Sequence, residues 1–134
     1  MKNIKKVEIL LLLLFAIYMS VASPVHSLSS REDLFKNALD LSSVGKFSQA
    51  LQQWNQYIDL FPEDAAAISN RGNVKLVLGN PKESIVDQDK AINLEPDLVD
   101  PYINRGLAEE TLGLWAEAKQ DYEFVIRMKK DFLP

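Results

Sequence analysis

Two arginines invite a chemical reading first. Arg71 and Arg105 each stand between an asparagine and a glycine, in "SNRGNVKLVLGN" and "INRGLAEETLGL", and each is followed sixteen residues later by an aspartate, Asp87 or Asp121. Two guanidinium groups could grip the carboxylates of a partner. Because arginine and aspartate recur together at one separation, pairing within the chain is the preferred reading. Close carboxylates, Asp87 with Asp89 and Glu109 with Glu110, are the raw material of acid–base catalysis. Residues one or two apart on a helix face different sides, however, so these acids are expected to be solvated surface. The one histidine, His26, lies near the start and there is no cysteine, which removes the commonest base, the thiol nucleophile and the nitrogen and sulfur metal ligands from the rest of the chain. Neither a glycine-rich phosphate loop nor a Ser-His-Asp set is present. The expectation is a protein that is not an enzyme and that takes no cofactor and no metal.

The charge balance narrows the partners. From Arg31 onward 12 Lys and Arg face 18 Asp and Glu, a net charge of −6. Binding phosphates needs a basic face, so nucleic acid is not an expected partner. Residues 1–30 differ from the rest: Lys2, Lys5 and Lys6 precede an uncharged apolar run over 9–22, and small and turn-forming residues follow. This is the three-part form of a secretory signal, with cleavage points after Ala22 or Ser27. The alternative is an uncleaved membrane anchor, since no charge falls between Glu8 and Arg31. The shortness of the apolar run favours export, to a periplasm or similar compartment, with membrane contact only if the segment is retained.

The elements that must position the arginines show themselves as a period. Gly45, Gly79 and Gly113 are spaced by 34 residues, as are Pro62 and Pro96. Aligning 65–98 with 99–132 gives nine identities, among them the Asn-Arg-Gly triplets and the Leu-Gly pairs, where about two are expected by chance. The segment 31–64 joins the series through Ala38, Gly45, Phe47, Ala50, Trp54 and Pro62. Three units, 31–64, 65–98 and 99–132, then follow the leader at 1–30. Apolar residues at three- and four-residue spacing make each unit two helices of roughly fourteen residues around a central glycine. In the middle unit these are "AAAISNRGNVKLVL" and "PKESIVDQDKAINL". Asn80 with Pro81 and Glu83 has the form of a capping box, Asp100–Pro101 starts the last unit in the same way, and Ser30 with Asp33 is a weaker version. The three turn glycines suit the left-handed conformation that ends a helix, and the prolines stop the second helices. Small residues mark close helix contacts: Ala38, Gly72 and Gly106 against Ala50, Ser84 and Ala118. Leu34, Ile68 and Tyr102 against Trp54, Gln88 and Tyr122 would fill the gaps, with Gln88 a polar exception that weakens the middle unit.

Units of this length and pattern resemble the tetratricopeptide repeat family over all of 31–132. The matching residues are Leu34, Ala38, Leu41, Ala50, Trp54, Tyr57 and Pro62; then Ile68, Gly72, Ser84, Ala91 and Pro96; then Tyr102, Gly106, Ala118, Tyr122 and Val125. Lys75 and Glu109 depart from it where the family carries an aromatic or aliphatic residue, and Lys130 replaces the last proline. The resemblance implies an all-α fold, a right-handed solenoid of three stacked helix-turn-helix repeats. Its local dialect is similar to repeats of photosynthetic bacteria and plastids, which implies a thylakoid lumen address.

It further implies an adaptor whose first helices line a concave groove for an extended peptide or a helix of another protein, with assembly of a membrane complex as one such task. A membrane-anchored structural subunit retaining 1–23 is the alternative. Groove candidates by position are Phe35, Lys36 and Leu39; Ser69, Asn70, Asn73, Leu76 and Val77; and Ile103, Asn104, Leu107, Glu110 and Thr111. The asparagine amides can bond a partner's backbone or satisfy groups of their own chain. Chaperone-binding members use a basic carboxylate clamp; the matching places here read Phe35, Leu39, Asn70, Asp100 and Asn104, so only Asn70 agrees and that function is not expected. The last second helix has no polar capping helix after it, which predicts self-association or docking on its outer side.

Overall fold

The computed structural model describes residues 30–131, so the leader and the apolar run at 9–22 lie outside the described residues. Six helices follow one another: α1 (Arg31–Ser43), α2 (Phe47–Leu60), α3 (Ala65–Val77), α4 (Pro81–Leu94), α5 (Val99–Thr111) and α6 (Trp115–Asp131). The described residues contain no strand, and none of their helices is long and apolar enough to cross a membrane. Each helix packs on the one before it, which makes three antiparallel pairs, and each pair's first helix also leans on the second helix of the preceding pair.

The turns within pairs are made by backbone chemistry that glycine permits. Gly45, Gly79 and Gly113 take φ of 77°, 84° and 76°. Around each, the chain closes a double bond pattern: Lys46 N–H donates to Leu41 O at 2.9 Å and Gly45 N–H to Ser42 O at 3.2 Å, with the same pair of bonds at Gly79 and Gly113. These bonds satisfy carbonyls that the helix end leaves open.

Helix starts differ from the sequence expectation. Pro81 occupies the first turn of α4 as expected, but the Asn80 side chain makes no capping bond. Helix α5 begins at Val99 rather than after Asp100, with Leu98 as its cap residue and no side-chain bond, because the extended backbone at Leu98 already turns into the helix. The side-chain cap is instead Asp64, which accepts a hydrogen bond from Ala67 N–H at 3.0 Å. The second helices stop where expected: α2 ends two residues before Pro62 and α4 two before Pro96.

Close approach of the helices fixes which residues are small. Ala38, Ala50 and Ser84 are fully buried and Ala118 nearly so. A methyl placed on Gly106 would sit 2.6 Å from Cε1 of Tyr122, and one on Gly72 would run into Gln88 and Asp87. The core between the first pairs is apolar and aromatic: Trp54, Tyr57, Ile58, Ile68, Val74 and Ala91 are buried, with Phe35 set edge-on to Trp54 at 5.0 Å and to Tyr57 at 5.5 Å. Gln88, the polar exception, is enclosed in this packing. It is fully buried, and its Nε2 donates to the Ser69 carbonyl at 3.0 Å, while Oε1 has no partner.

Candidate functional site

The arginines settle into the fold. Arg71 donates from Nε and Nη2 to both oxygens of Asp87, at 2.8 and 2.7 Å, and Arg105 does the same to Asp121, at 2.8 and 2.6 Å. Each arginine also reaches back to the preceding second helix, Arg71 to Asn55 Oδ1 at 3.2 Å and Arg105 to Asp89 Oδ1 at 2.7 Å. Asn37 and Gln53 make the corresponding neutral bond in the first pair, at 3.2 Å. The two-oxygen geometry is the strong form of the pairing, and Asp87 and Asp121 are buried beneath it. Hydrogen bonds that it donates to Asp121 and then to Asp89 hold the Arg105 guanidinium well above its ordinary range against the cost of burial.

The carboxylate pairs are not the solvated surface that spacing suggested. The facing rule holds, since Asp89 is exposed and Glu110 half-buried, but Asp87 and Glu109 are turned inward. In the second pair Lys75 lies 2.8 Å from Asp87, so Asp87 sits between two cations. One unit later the place of Lys75 is taken by Glu109, whose Oε2 is buried without a partner. Burial, then the Asp121 charge, pushes the Glu109 carboxyl above the usual carboxylate range, and Arg105 offsets only part of this. A sequence signal existed: Glu109 stands at the family's apolar position, where a solvated acid is out of place.

A further network was not legible beforehand. Asp64 caps α3, accepts from the Tyr57 hydroxyl at 2.7 Å and pairs with Arg31 at 2.7 Å, and Arg31 Nε also donates to the Tyr57 hydroxyl at 2.9 Å. Burial works to raise the Asp64 carboxyl, but the bonds from Tyr57, Ala67 and Arg31 outweigh it and hold it below the usual range.

What remains available is the face of the first helices. Among the described residues α3 touches both α1 and α5, whereas the second helices make no contact with one another. First helices that crowd while second helices splay put α1, α3 and α5 on the inner side of the stack. There Leu39, Asn73, Val77 and Leu107 are exposed, and Asn70, Leu76 and Ile103 are half-buried. Phe35 is shared between this face and the aromatic core. Ser69 is buried and accepts a bond from the Asn104 Nδ2 at 3.2 Å, so these two tie α3 to α5. Asn70 and Asn73 have no side-chain hydrogen bond among the described residues. An open cleft of about 490 Å³ lies at the α1 end, lined by Arg31, Glu32, Phe35, Lys36, Leu39 and Tyr57. No metal-ligating group of three or more side chains is found among the described residues. On the outer side of α6, Trp115 and Ile126 are 66% and 55% exposed, where their counterparts Phe47 and Ile58 are half-buried and buried. Lys119, paired with Glu123, stands there in the place of Leu51 and Ile85.

A stack of antiparallel helix pairs with left-handed turn glycines, small residues at the crossings and one open inner face defines a helical-repeat scaffold. No protein-family model matches the chain. Among curated proteins it is 30% identical over 105 residues to tetratricopeptide repeat protein 36 of Danio rerio, a match spanning 75% of this chain and 56% of that protein. It is 29% identical over 94 residues to the TPR repeat-containing thioredoxin TDX of Arabidopsis thaliana, spanning 70% of this chain and 25% of that one. A FAM10 family protein of Arabidopsis thaliana is 36% identical over 84 residues, 63% of this chain and 19% of the relative. The chain thus spans from a fifth to just over half the length of these relatives. Among solved structures, the second TPR domain of Spaghetti (RPAP3), bound to the HSP90 peptide SRMEEVD, superposes with a TM-score of 0.70 at 25% identity over 75% of this chain and 93% of that one. The TPR2B domain of yeast Sti1, in a complex with pHsp70, gives 0.72 at 24% identity over 76% and 82%. The chain belongs to the tetratricopeptide repeat family.

Proposed function

We propose that the chain is a protein-interaction adaptor that holds a segment of another protein against α1, α3 and α5. The observation that carries this reading is the inner row of Leu39, Asn73, Val77 and Leu107, exposed side chains that the fold does not use. The solved domains of Spaghetti, bound to an HSP90 peptide, and of Sti1, in a complex with pHsp70, share the fold and support it. Their ligand chemistry does not transfer, because the basic clamp positions read Phe35, Leu39, Asp100 and Asn104 here. The amides of Asn70 and Asn73 suit the backbone of a bound segment, since each offers a donor and an acceptor.

Placing a photo-crosslinking residue at Asn73, and separately at Lys90 on α4, tests the reading in the native compartment. Partner adducts at Asn73 alone support it; equal labelling from both positions sinks it. The outer side of α6 offers a second contact, for another copy or another protein, supported by the exposed Trp115 and Ile126. A strictly monomeric protein at high concentration, with no surface that binds a hydrophobic dye, counts against that part.

The proposal includes export to a periplasm or thylakoid lumen and service to a membrane complex, resting on Lys2, Lys5, Lys6 and the apolar run at 9–22. Retention of 1–23 as an anchor is the alternative, and the intact mass of the mature protein separates the two.

A further inference from the structure

We infer that the groove selects a protein segment that combines a large apolar side chain with lysine or arginine, and that it rejects acidic segments; this rests on the groove reading above. Side chains on the inner stripes of the three first helices carry few charges, and their distribution is one-sided. Helix α1 contributes Glu32 and Lys36, the inner stripe of α3 is uncharged, and α5 contributes Asp100 and Glu110. Three carboxylates thus face one ammonium.

The arginines redress little of this balance: Arg71 and Arg105 are committed to the fold, and Arg31, which lines the cleft at the α1 end, is already paired with Asp64. Arg31 is bonded to Tyr57 and Asp64, and Arg71 and Arg105 are turned to the second helices, where Asp87 and Asp121 take both arms of the guanidinium. A carboxylate arriving on α5 would meet two like charges and no available guanidinium, and like-charge juxtaposition across an interface is strongly unfavourable. The two acids stand at opposite ends of the helix. Asp100 lies in the first turn of α5 and is exposed, where the helix dipole favours an anion. Glu110 lies in the last turn of the same helix and is half-buried. Ten residues separate them, about 15 Å along the axis at 1.5 Å per residue. Two basic side chains four or five residues apart on an extended segment match that distance, at about 3.3 Å per residue.

The other half of the specificity lies at the α1 end. The cleft of about 490 Å³ beside Phe35, Leu39 and Tyr57 is large enough for an aromatic or branched aliphatic side chain. Its walls are mostly ring and hydrocarbon surface, so filling it is driven by apolar burial. A segment anchored there and crossing α3 brings its basic residues to α5.

Two pools of short random peptides of equal length test this on the purified full chain. One pool carries Lys and Arg as its only charged residues, the other Asp and Glu; enriched peptides are then titrated by fluorescence anisotropy. The basic pool is expected to yield binders with an apolar anchor. Asp100→Lys combined with Glu110→Gln should weaken them by about ten-fold or more and flatten their salt dependence, and Leu39→Glu should weaken them too. Tighter binders from the acidic pool that still respond to Leu39→Glu overturn the charge preference and leave the groove reading standing. Binders from either pool that ignore both Leu39→Glu and Asn73→Asp overturn the groove reading and this inference with it. Unchanged thermal unfolding of the three variants establishes that the losses are not losses of fold.

Discussion

Replacing Glu109 by lysine should make this protein more stable, although the change reverses a charge at a buried site. In the second helix pair Lys75 sits 2.8 Å from Asp87, and their side chains are 15% and 4% exposed. The third pair repeats the acid as Asp121 but puts Glu109 where the lysine was, leaving Oε2 buried and unbonded beside a buried aspartate. An unsatisfied buried polar group costs about 1–3 kcal/mol, and the lysine that removes it gains a bond to Asp121 at the expense of its own partial burial. A net gain of about 1–2 kcal/mol at neutral pH follows, which for a domain of this size raises the midpoint of thermal unfolding by roughly 4–8 °C per kcal/mol. The pH dependence supplies an independent check. A carboxyl raised in the folded state binds its proton more tightly there than in the unfolded chain, so stability falls as pH rises between its ordinary and its raised value. The wild type therefore gains stability on mild acidification in that window, and Glu109→Lys lacks this gain; Glu109→Gln, which keeps the shape and removes the charge, lacks it as well. Circular-dichroism melts of the three proteins across the window decide the matter. A Glu109→Lys variant less stable than wild type at neutral pH, or one with the wild-type pH slope, refutes the reasoning.

Gly106→Ala should cost about 1–3 kcal/mol, since the new methyl meets the Tyr122 ring at 2.6 Å and overpacking of a close contact is paid in displaced side chains; denaturant titration reads it. Asp87→Ala strands Arg71 and Lys75 beside a 4%-exposed site and should cost about 3–5 kcal/mol, whereas Lys119→Ala, which breaks an exposed pair at 3.6 Å, should cost under about 1 kcal/mol. Asp64→Ala removes the cap of α3 together with the partners of Tyr57 and Arg31, a loss of at least about 1–2 kcal/mol at neutral pH. Its pH signature is opposite to that of Glu109. The Asp64 carboxyl is lowered in the fold, so its contribution is present above the ordinary aspartate range and disappears as pH falls toward the lowered value, a decline that Asp64→Ala no longer shows.

The features that were legible in the sequence are those in which one residue type answers one geometric demand. Gly45, Gly79 and Gly113 occupy left-handed turns that other residues resist, Gly72 and Gly106 lie where a methyl has no room, and the common separation of arginine and aspartate gave their pairing. Helix starts were less legible, because a cap depends on local backbone angles that composition does not set: Asp64 caps and Asn80 does not. Burial of polar groups was the larger omission. Gln88, Asp87 and Glu109 read as surface or as flaws, yet all three are enclosed: Asp87 with partners supplied by distant residues, Gln88 with its amide nitrogen bonded and Oε1 left over, and Glu109 with Oε2 left over. On the inner face the spacing could not tell Asn73, which is open, from Asn104, which is bonded to Ser69.

The backward reach of Arg71 and Arg105 has a consequence for how such a chain can lengthen. Each arginine finds one acceptor sixteen residues ahead, in its own pair, and another sixteen residues behind, in the pair before it. Copying a block of 34 residues preserves both distances at once, so a duplicated unit arrives already mated to its neighbours on either side. An insertion of one or two residues within a helix turns the residues beyond it by about 100° each and points a guanidinium away from its acceptors. The arginine thus works as a gauge of genetic length, favouring tandem copies over ragged ones before any partner has been bound.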